Sequence, residues 1–300
     1  MTAVRWAGIL RTLGHRVSII EVYEGEPYDL LVALHARRSY PSIRRFHLSH
    51  PERPLLVALT GTDLYKDLPR SRKARQSLEF ATRLIALQPK ASEELPSHLR
   101  QKIRVIYQSC PGSLRKRGTL RSRRSFDVCV IGHLRAVKDP FRAARAARRL
   151  LPSSRIRVLH LGAAMDEQMA RRARAEIRVN PRYLWLGEQP RRRVQRILAV
   201  SALCVLSSRL EGGANVVSEA IAAGVPLLAS RIAGTVGLLG ENYPGYFRVG
   251  NTEELARLLH RAETDRAFLT KLSSHCAMLA PLFGPRREQT AWRQLLQELV

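Results

Sequence analysis

The stretch EGGANVVSEA, residues 211–220, sets two carboxylates, Glu211 and Glu219, eight positions apart with paired glycines after the first. Glycine lets a backbone come close to a ligand. Free N–H groups at a helix start, here near Asn215 or Val216, attract an anion such as a diphosphate. A carboxylate accepts hydrogen bonds on both oxygens, so each acid can grip two vicinal hydroxyls, and two acids suit two sugars. The same spacing also allows a plain reading, a helix capped by Asn215 with both acids in solvent.

Apolar runs on either side must hold this stretch in place. ALCVLSS (202–208) reads as a strand running into it, and VPLLAS (225–230) as the next strand after a turn at Gly224. The same alternation fills the chain. RVSIIEVY (16–23), DLLVALHA (29–36), PLLVALTG (54–61), RLIALQ (83–88) and IRVIYQ (103–108) read as buried strands. FDVCVIGHL (126–134), IRVLHLG (156–162), YLWLGE (183–188) and GYFRVG (245–250) continue the series. Continuous Val/Leu/Ile runs suit a parallel sheet covered on both faces. Helical spacing between them, as in SRKARQSLEFATR (71–83), completes a βαβ pattern.

The polar, basic stretch PGSLRKRGTLRSRRS (111–125) interrupts that rhythm. The expected organisation is an α/β domain over 1–112, a basic linker over 113–125, a second α/β domain over 126–284 and a terminal helix over 285–300. Trp292, Leu295, Leu296 and Leu299 form the apolar face of that helix, which packs on its own domain or bridges back to the first. A doubly wound domain normally opens on a strand and a glycine turn. Here Trp6, Ile9, Leu10 and Leu13 already have helical spacing, so the N-terminal domain is expected to lack its first strand. Either the coding sequence begins further upstream or the domain is unusual.

Length and composition bound the reading. Three hundred residues with 45% apolar content describe a globular protein with room for two cores. No run approaches 18 apolar residues, and the N-terminus lacks the zones of a signal peptide, so a cytoplasmic address is expected. The net charge of +26 comes from 44 arginines and seven lysines scattered along the chain. Segments such as RAARAARRL (142–150) and ARRARAEIRV (170–179) read as solvated helix faces, which argues against a nucleic-acid partner. The charge favours anionic small molecules and weak contact with anionic lipid. Cys110, Cys129, Cys204 and Cys276 have no CxxC spacing, so they read as buried free thiols, with no metal site.

The segment at 211–230 resembles the E-x7-E motif of the family 4 glycosyltransferases, which have the GT-B fold of two Rossmann-like domains facing across a cleft. The resemblance implies that Glu211 contacts the donor sugar, that Gly213, Ala214, Asn215 and Val216 hold the diphosphate through their amides, and that Glu219 takes the ribose. VIGHLRAVKDP (130–140) resembles the family's G-R-L-x-x-x-K-G and implies diphosphate contacts for Gly132 and Lys138. His133 replaces the family's arginine, with Arg135 nearby to compensate. LWLGEQP (184–190) resembles the base-contacting loop and brings in Glu188.

LHARRSYPSI (34–43), ALTGTDLYKDLP (58–69), ALQPKA (86–91) and RVIYQSCP (104–111) fall at strand ends, where parallel sheets bind ligands. Together with the donor motifs they resemble the selenosugar synthases of selenoneine biosynthesis. That resemblance implies transfer of a sugar from a UDP-sugar to selenophosphate, with UDP-sugar a co-substrate and no separate cofactor. A small charged acceptor needs cations and hydroxyls, which makes His35, Arg37, Arg38, Thr60, Thr62 and Lys90 candidates. Asp63 either accepts from a hydroxyl or caps a helix, and Gln108 has a similar split. His35, Lys138 and Glu211 are the expected catalytic residues, and the absence of any D-x-D triplet fits a metal-independent enzyme. The alternative reading is a family 4 transferase with a lipid or glycan acceptor.

Overall fold

The computed structural model describes residues 2–110 and 125–299. The chain divides into two compact units. One comprises Met1–Ser109, Glu211–Gly213 and Leu282–Val300; the other comprises Cys110–Leu210 and Ala214–Pro281. Of the linker expected at 113–125, all but Ser125 lies outside the described residues.

The first unit enters on helix α1 (Thr2–Thr12) and then alternates: β1 (Leu31–Leu34), α2 (Tyr40–Ser49), β2 (Leu55–Ala58), α3 (Arg72–Phe80), β3 (Arg83–Ala86), α4 (Ser97–Arg100) and β4 (Ile103–Val105). The four strands form a parallel sheet in the order β1-β2-β3-β4, with Leu31 opposite Leu55 and Leu84 opposite Ile103. Successive strand residues point to opposite faces. Leu55, Val57 and Leu84 therefore pack with Ile43, Phe46 and Leu78 on one side. Leu56, Ala58 and Ile85 pack with Trp6, Leu10 and Trp292 on the other. Both faces are covered, which is why these strands read as unbroken apolar runs.

The run at 16–23 is not a strand, contrary to the expectation from its sequence. β1 is the edge of the sheet and pairs only with β2. A cavity of about 740 Å³, lined among others by Trp6, Val17, Ile20, Leu30 and Val32, lies where a neighbouring strand would have to pair. Without a partner ladder, β-forming residues gain nothing from extending. Ile19 and Val22 accordingly remain 50% and 55% exposed.

The second unit runs β5 (Phe126–Ile131), α5 (Arg142–Ala147), β6 (Ile156–Leu161), α6 (Glu167–Val179), β7 (Tyr183–Trp185), α7 (Arg191–Val200), β8 (Leu203–Leu206), α8 (Asn215–Ala222), β9 (Leu227–Ser230), α9 (Ala233–Leu239), β10 (Tyr246–Phe247), α10 (Thr252–Thr264) and α11 (Arg266–Leu279). Its six strands are all parallel, in the order β10-β9-β8-β5-β6-β7. The order reverses beside β5: β6 and β7 lie on one flank, β8 to β10 on the other. At such a switch point the loops after the two central strands diverge and leave a crevice for a ligand.

RAARAARRL is not a solvated face. In α5 the residues Ala143, Ala144, Ala146 and Ala147 are buried, because small side chains let the helix sit close to its neighbours. Arg142 is buried with them and offsets its charge against Asp139 at 2.8 Å. In α6 the arginines do stay outside while Met169, Ala170 and Ala173 turn inward, and Asp166 caps its start through the Met169 N–H. The four cysteines are free and buried. Burial pushes the Cys129 thiol up to about 12, so it stays protonated.

The last helix, α12 (Pro285–Gln297), belongs to the first unit. Trp292 meets Trp6 edge to face at 5.0 Å, and the Trp6 indole N–H donates to the buried Glu288 at 2.8 Å. Losing such a buried aromatic costs roughly 3–5 kcal/mol.

Candidate active site

On the second unit, β5 and β8 are hydrogen-bonded neighbours, with Cys129 opposite Cys204. The loop after β5 carries Gly132, His133, Arg135 and Lys138; the loop after β8 leads to Ala214, Asn215, Val216 and Glu219. Two motifs some 80 positions apart in sequence thus issue from adjacent strand ends at the switch point. Lys138 closes a tight 3-10 turn, Ala136–Lys138, followed by Asp139 in the left-handed region at φ 45°. The turn is tied to the β8 loop: the Ser207 hydroxyl donates to the Asp139 carbonyl at 3.0 Å, and the Arg209 N–H to the Val137 carbonyl at 2.8 Å. The Asp139–Arg142 pair braces it from below.

Helix α8 begins with Ala214 at its N-cap, a residue whose side chain makes no capping hydrogen bond. Asn215 is the first helical residue rather than the cap, so the capping alternative read from sequence does not hold. Glu219 lies one turn further in, partly exposed. Glu188 is exposed in the loop after β7, the last strand on its flank, two strands from β5.

The remaining pieces of the motif, Glu211–Gly213, group with the first unit. A Cβ on Gly212 would lie 2.5 Å from the Thr60 carbonyl oxygen, and one on Gly213 would lie 2.3 Å from Leu87 Cβ. Gly212 packs against backbone and Gly213 against a side chain, and neither position has room for a Cβ. Glu211 is 8% exposed.

The strand ends of the first unit gather the acceptor-side candidates. His35 follows β1 in the left-handed region at φ 83°, a costly backbone state for a residue with a Cβ. The Arg38 N–H donates to its Nδ1 at 3.3 Å, so the neutral ring carries its proton on Nε2, 3.1 Å from the Thr62 hydroxyl. Asp67 Oδ2 lies 3.8 Å from the same nitrogen, and Asp67 Oδ1 accepts from Arg37 at 3.0 Å. A π-helical turn, Asp63–Asp67, closed by the Leu68 N–H on the Asp63 carbonyl, brings Asp67 round to this cluster. Arg37 keeps 58% of its side chain in solvent beyond its pairing with Asp67.

Asp63 is a brace. It is 1% exposed and accepts from the backbone N–H groups of Ala36, Thr60 and Gly61 and from the Thr60 hydroxyl. Direct contact with a hydroxyl of a substrate, one of the two roles read from sequence, gives way to holding the loops that carry His35 and Thr62. Gln108 is buried and donates to the Thr2 hydroxyl at 3.0 Å, while its Oε1 has no protein partner. Lys90 pairs with Glu93 at 2.9 Å on the surface. Asp67 was not among the residues picked from sequence. Its signal was its position four residues after Asp63 in the same strand-end string.

Among the described residues no group of three or more His, Cys, Asp or Glu could hold a metal ion, and no helix is long and apolar enough to cross a membrane.

Residues 115–277 match the family described as glycosyl transferases group 1. The match covers more than half of the sequence, and the chain belongs to that family. It is a glycosyltransferase with the two-Rossmann fold expected from its sequence. No curated protein matches the chain. Among solved structures, HepE of Anabaena in complex with UDP is 19% identical, with a TM-score of 0.73 over 90% of this chain and 79% of that one. The UDP-forming α,α-trehalose-phosphate synthase of Burkholderia vietnamiensis is 13% identical, with a TM-score of 0.74 over 91% of this chain and 74% of that one. The sucrose-phosphate synthase of Thermosynechococcus elongatus is 18% identical, with a TM-score of 0.70 and the same coverage. At such identities the likeness is one of fold.

Proposed function

We propose that the chain transfers a sugar from a UDP-sugar to selenophosphate, forming a selenosugar. The observation that carries the donor half is the placement of the Lys138 turn and the start of α8 on adjacent strand ends at the switch point. Fold relatives add support: HepE has been solved with UDP and with UDP-glucose, and the Burkholderia synthase is named UDP-forming. The acceptor half draws support from the His35–Thr62–Asp67–Arg37 cluster, which offers a cation and fixed donors suited to a small oxyanion. The resemblance of the strand-end strings to selenosugar synthases names the oxyanion.

In this reading the selenium of selenophosphate forms a bond to the anomeric carbon while the bond from that carbon to the diphosphate oxygen breaks. The departing electron pair stays on UDP. Water then cleaves the phosphorus–selenium bond and releases phosphate. A selenium anion needs no strong general base. The main task is stabilising the leaving diphosphate, which falls to Lys138, to His133 and Arg135, and to the amides at the start of α8. These protein groups make a divalent ion unnecessary. Glu211 holds the sugar and Glu219 the ribose.

UDP release measured with selenophosphate, and separately with lipid-linked and free glycan acceptors, tests the proposal. Selenophosphate-dependent release is expected, and its absence overturns the acceptor assignment. Unchanged turnover in Glu211→Gln and Lys138→Ala would overturn the donor site.

A further inference from the structure

A buried imidazole that takes no part in the steps above lies beneath the Gly132–Arg135 turn. His160 stands in the middle of the apolar run of β6, opposite Val130 of β5, and is 1% exposed. Its Nε2 is 3.1 Å from the Gly132 carbonyl oxygen and its Nδ1 is 2.9 Å from the Tyr183 hydroxyl. A carbonyl can only accept, so Nε2 carries the proton and Nδ1 accepts from Tyr183.

We propose that His160 is a positioning residue for the donor diphosphate: by holding the Gly132 carbonyl it fixes the turn that presents His133, Arg135 and Lys138. The proposal rests on the donor-side reading above.

Gly132 is held on its other side too, because its N–H donates to the Leu161 carbonyl at 2.9 Å. Both backbone groups of this glycine are therefore committed to β6. The next residues are latched to the same strand end. The Ala163 N–H donates to His133 Nδ1 at 3.1 Å, and the Leu134 N–H donates to the Ala163 carbonyl at 2.8 Å. The first of these leaves the proton of a neutral His133 on Nε2. That nitrogen is then a hydrogen-bond donor.

Gly162 makes the close packing possible, since a Cβ there would lie 2.1 Å from the Gly132 carbonyl oxygen. The loop after β7 closes the latch: the Trp185 indole N–H donates to the Gly162 carbonyl, and the Gly162 N–H to the Gly187 carbonyl, both at 2.8 Å. Burial lowers the His160 pKa to about 4, so the ring keeps its neutral, donating form at neutral pH. A side chain needed only to fill this space would be apolar. The imidazole instead makes two buried hydrogen bonds with a defined tautomer.

The test uses the full chain with three substitutions, His160→Leu, His160→Gln and Tyr183→Phe. Leu fills the space without a donor, Gln keeps an N–H for the Gly132 carbonyl, and Phe removes the hydroxyl that donates to Nδ1. Two readouts are taken: amide hydrogen exchange over residues 132–138 and UDP binding by calorimetry. Loss of one buried hydrogen bond predicts about tenfold faster exchange and about tenfold weaker UDP binding in H160L. H160Q should recover most of both, and Y183F should fall between. Unchanged exchange in H160L, or an H160Q variant as impaired as H160L, overturns the positioning role. Should H160L fail to fold, H160Q and Y183F are compared with the parent: H160Q must stay near the parent in exchange over 132–138 and Y183F must exchange faster than H160Q, or the role is lost. A parent chain that binds no UDP while H160L still loosens the turn would remove the donor reading and leave the positioning intact.

Discussion

Asp63 accepts the backbone N–H of Ala36 through Oδ2 at 3.0 Å, tying the loop after β2 to the loop after β1. Its other oxygen takes the N–H groups of Thr60 and Gly61. Asp63→Ala leaves three backbone donors without their acceptor and should lower stability by about 2–4 kcal/mol in urea unfolding. Asp63→Asn, which keeps one oxygen, should lose about half as much. A loss below about 1 kcal/mol in the alanine variant would mean that other contacts hold these loops.

The left-handed backbone of His35 gives a second prediction. Glycine adopts φ 83° without strain, whereas alanine does not. His35→Gly should therefore be more stable than His35→Ala by about 1 kcal/mol, although it is the more flexible chain. Both should lose transfer activity, because each removes the ring that bridges the Arg38 amide and Thr62. Equal stability of the two would show that the strain is relieved elsewhere.

In the proposed function Glu219 takes the ribose, away from the bond that breaks. Glu219→Gln should raise KM for the UDP-sugar about 10- to 100-fold, the range for a charge-assisted hydrogen bond, with a smaller change in kcat. Steady-state kinetics at varied donor concentration check this. A fall confined to kcat would place Glu219 at the reaction centre instead.

Stability should fall on mild acidification. His160 titrates near 4 when folded, against about 6.5 in the unfolded chain. Above pH 6.5 neither state binds the proton, so the group adds no pH dependence. Between about pH 6.5 and 4 only the unfolded chain takes it up, which removes about 3 kcal/mol in total. Below pH 4 this contribution is flat. Unfolding followed from pH 7 to 4 should show the loss, and H160Q should show less of it.

Turnover should survive chelation. If, as proposed, Lys138 and the α8 amides meet the diphosphate charge, dialysis against EDTA should leave UDP release within about twofold of its starting rate. A tenfold fall that magnesium or manganese restores would assign the leaving-group charge to a metal ion.

The strands of both sheets were legible wherever a buried apolar run had neighbours to pair with. The run at 16–23 shows the limit: its residues form strands readily, but pairing is decided by what stands beside the run, and β1 lies across a cavity from it. RAARAARRL failed for a related reason. Charge content suggested solvent, while the alanines between the arginines allowed α5 to be buried. That the strings around Lys138 and Asn215 would leave strand ends was legible, because each follows directly on an apolar run. Asp67, His160 and Glu288 brace groups distant in sequence, Arg37, Gly132 and Trp6 in turn, and only a lone histidine inside the apolar run VLHLG hinted at one of them.

The contact between Trp6 and Glu288 also has a temporal side. The two residues are 282 positions apart. At ribosomal rates of about 5–20 residues per second, α1 waits roughly 15–60 s for the helix that covers it. Most of the second unit is synthesised within that interval and can fold first. The apolar stripe of α1, with Trp6 and Leu10, meanwhile lacks the α12 side chains that later bury it. A helix made long before its cover is thus among the last to find its place, and during that wait the nascent chain is exposed to chaperones and to misassociation.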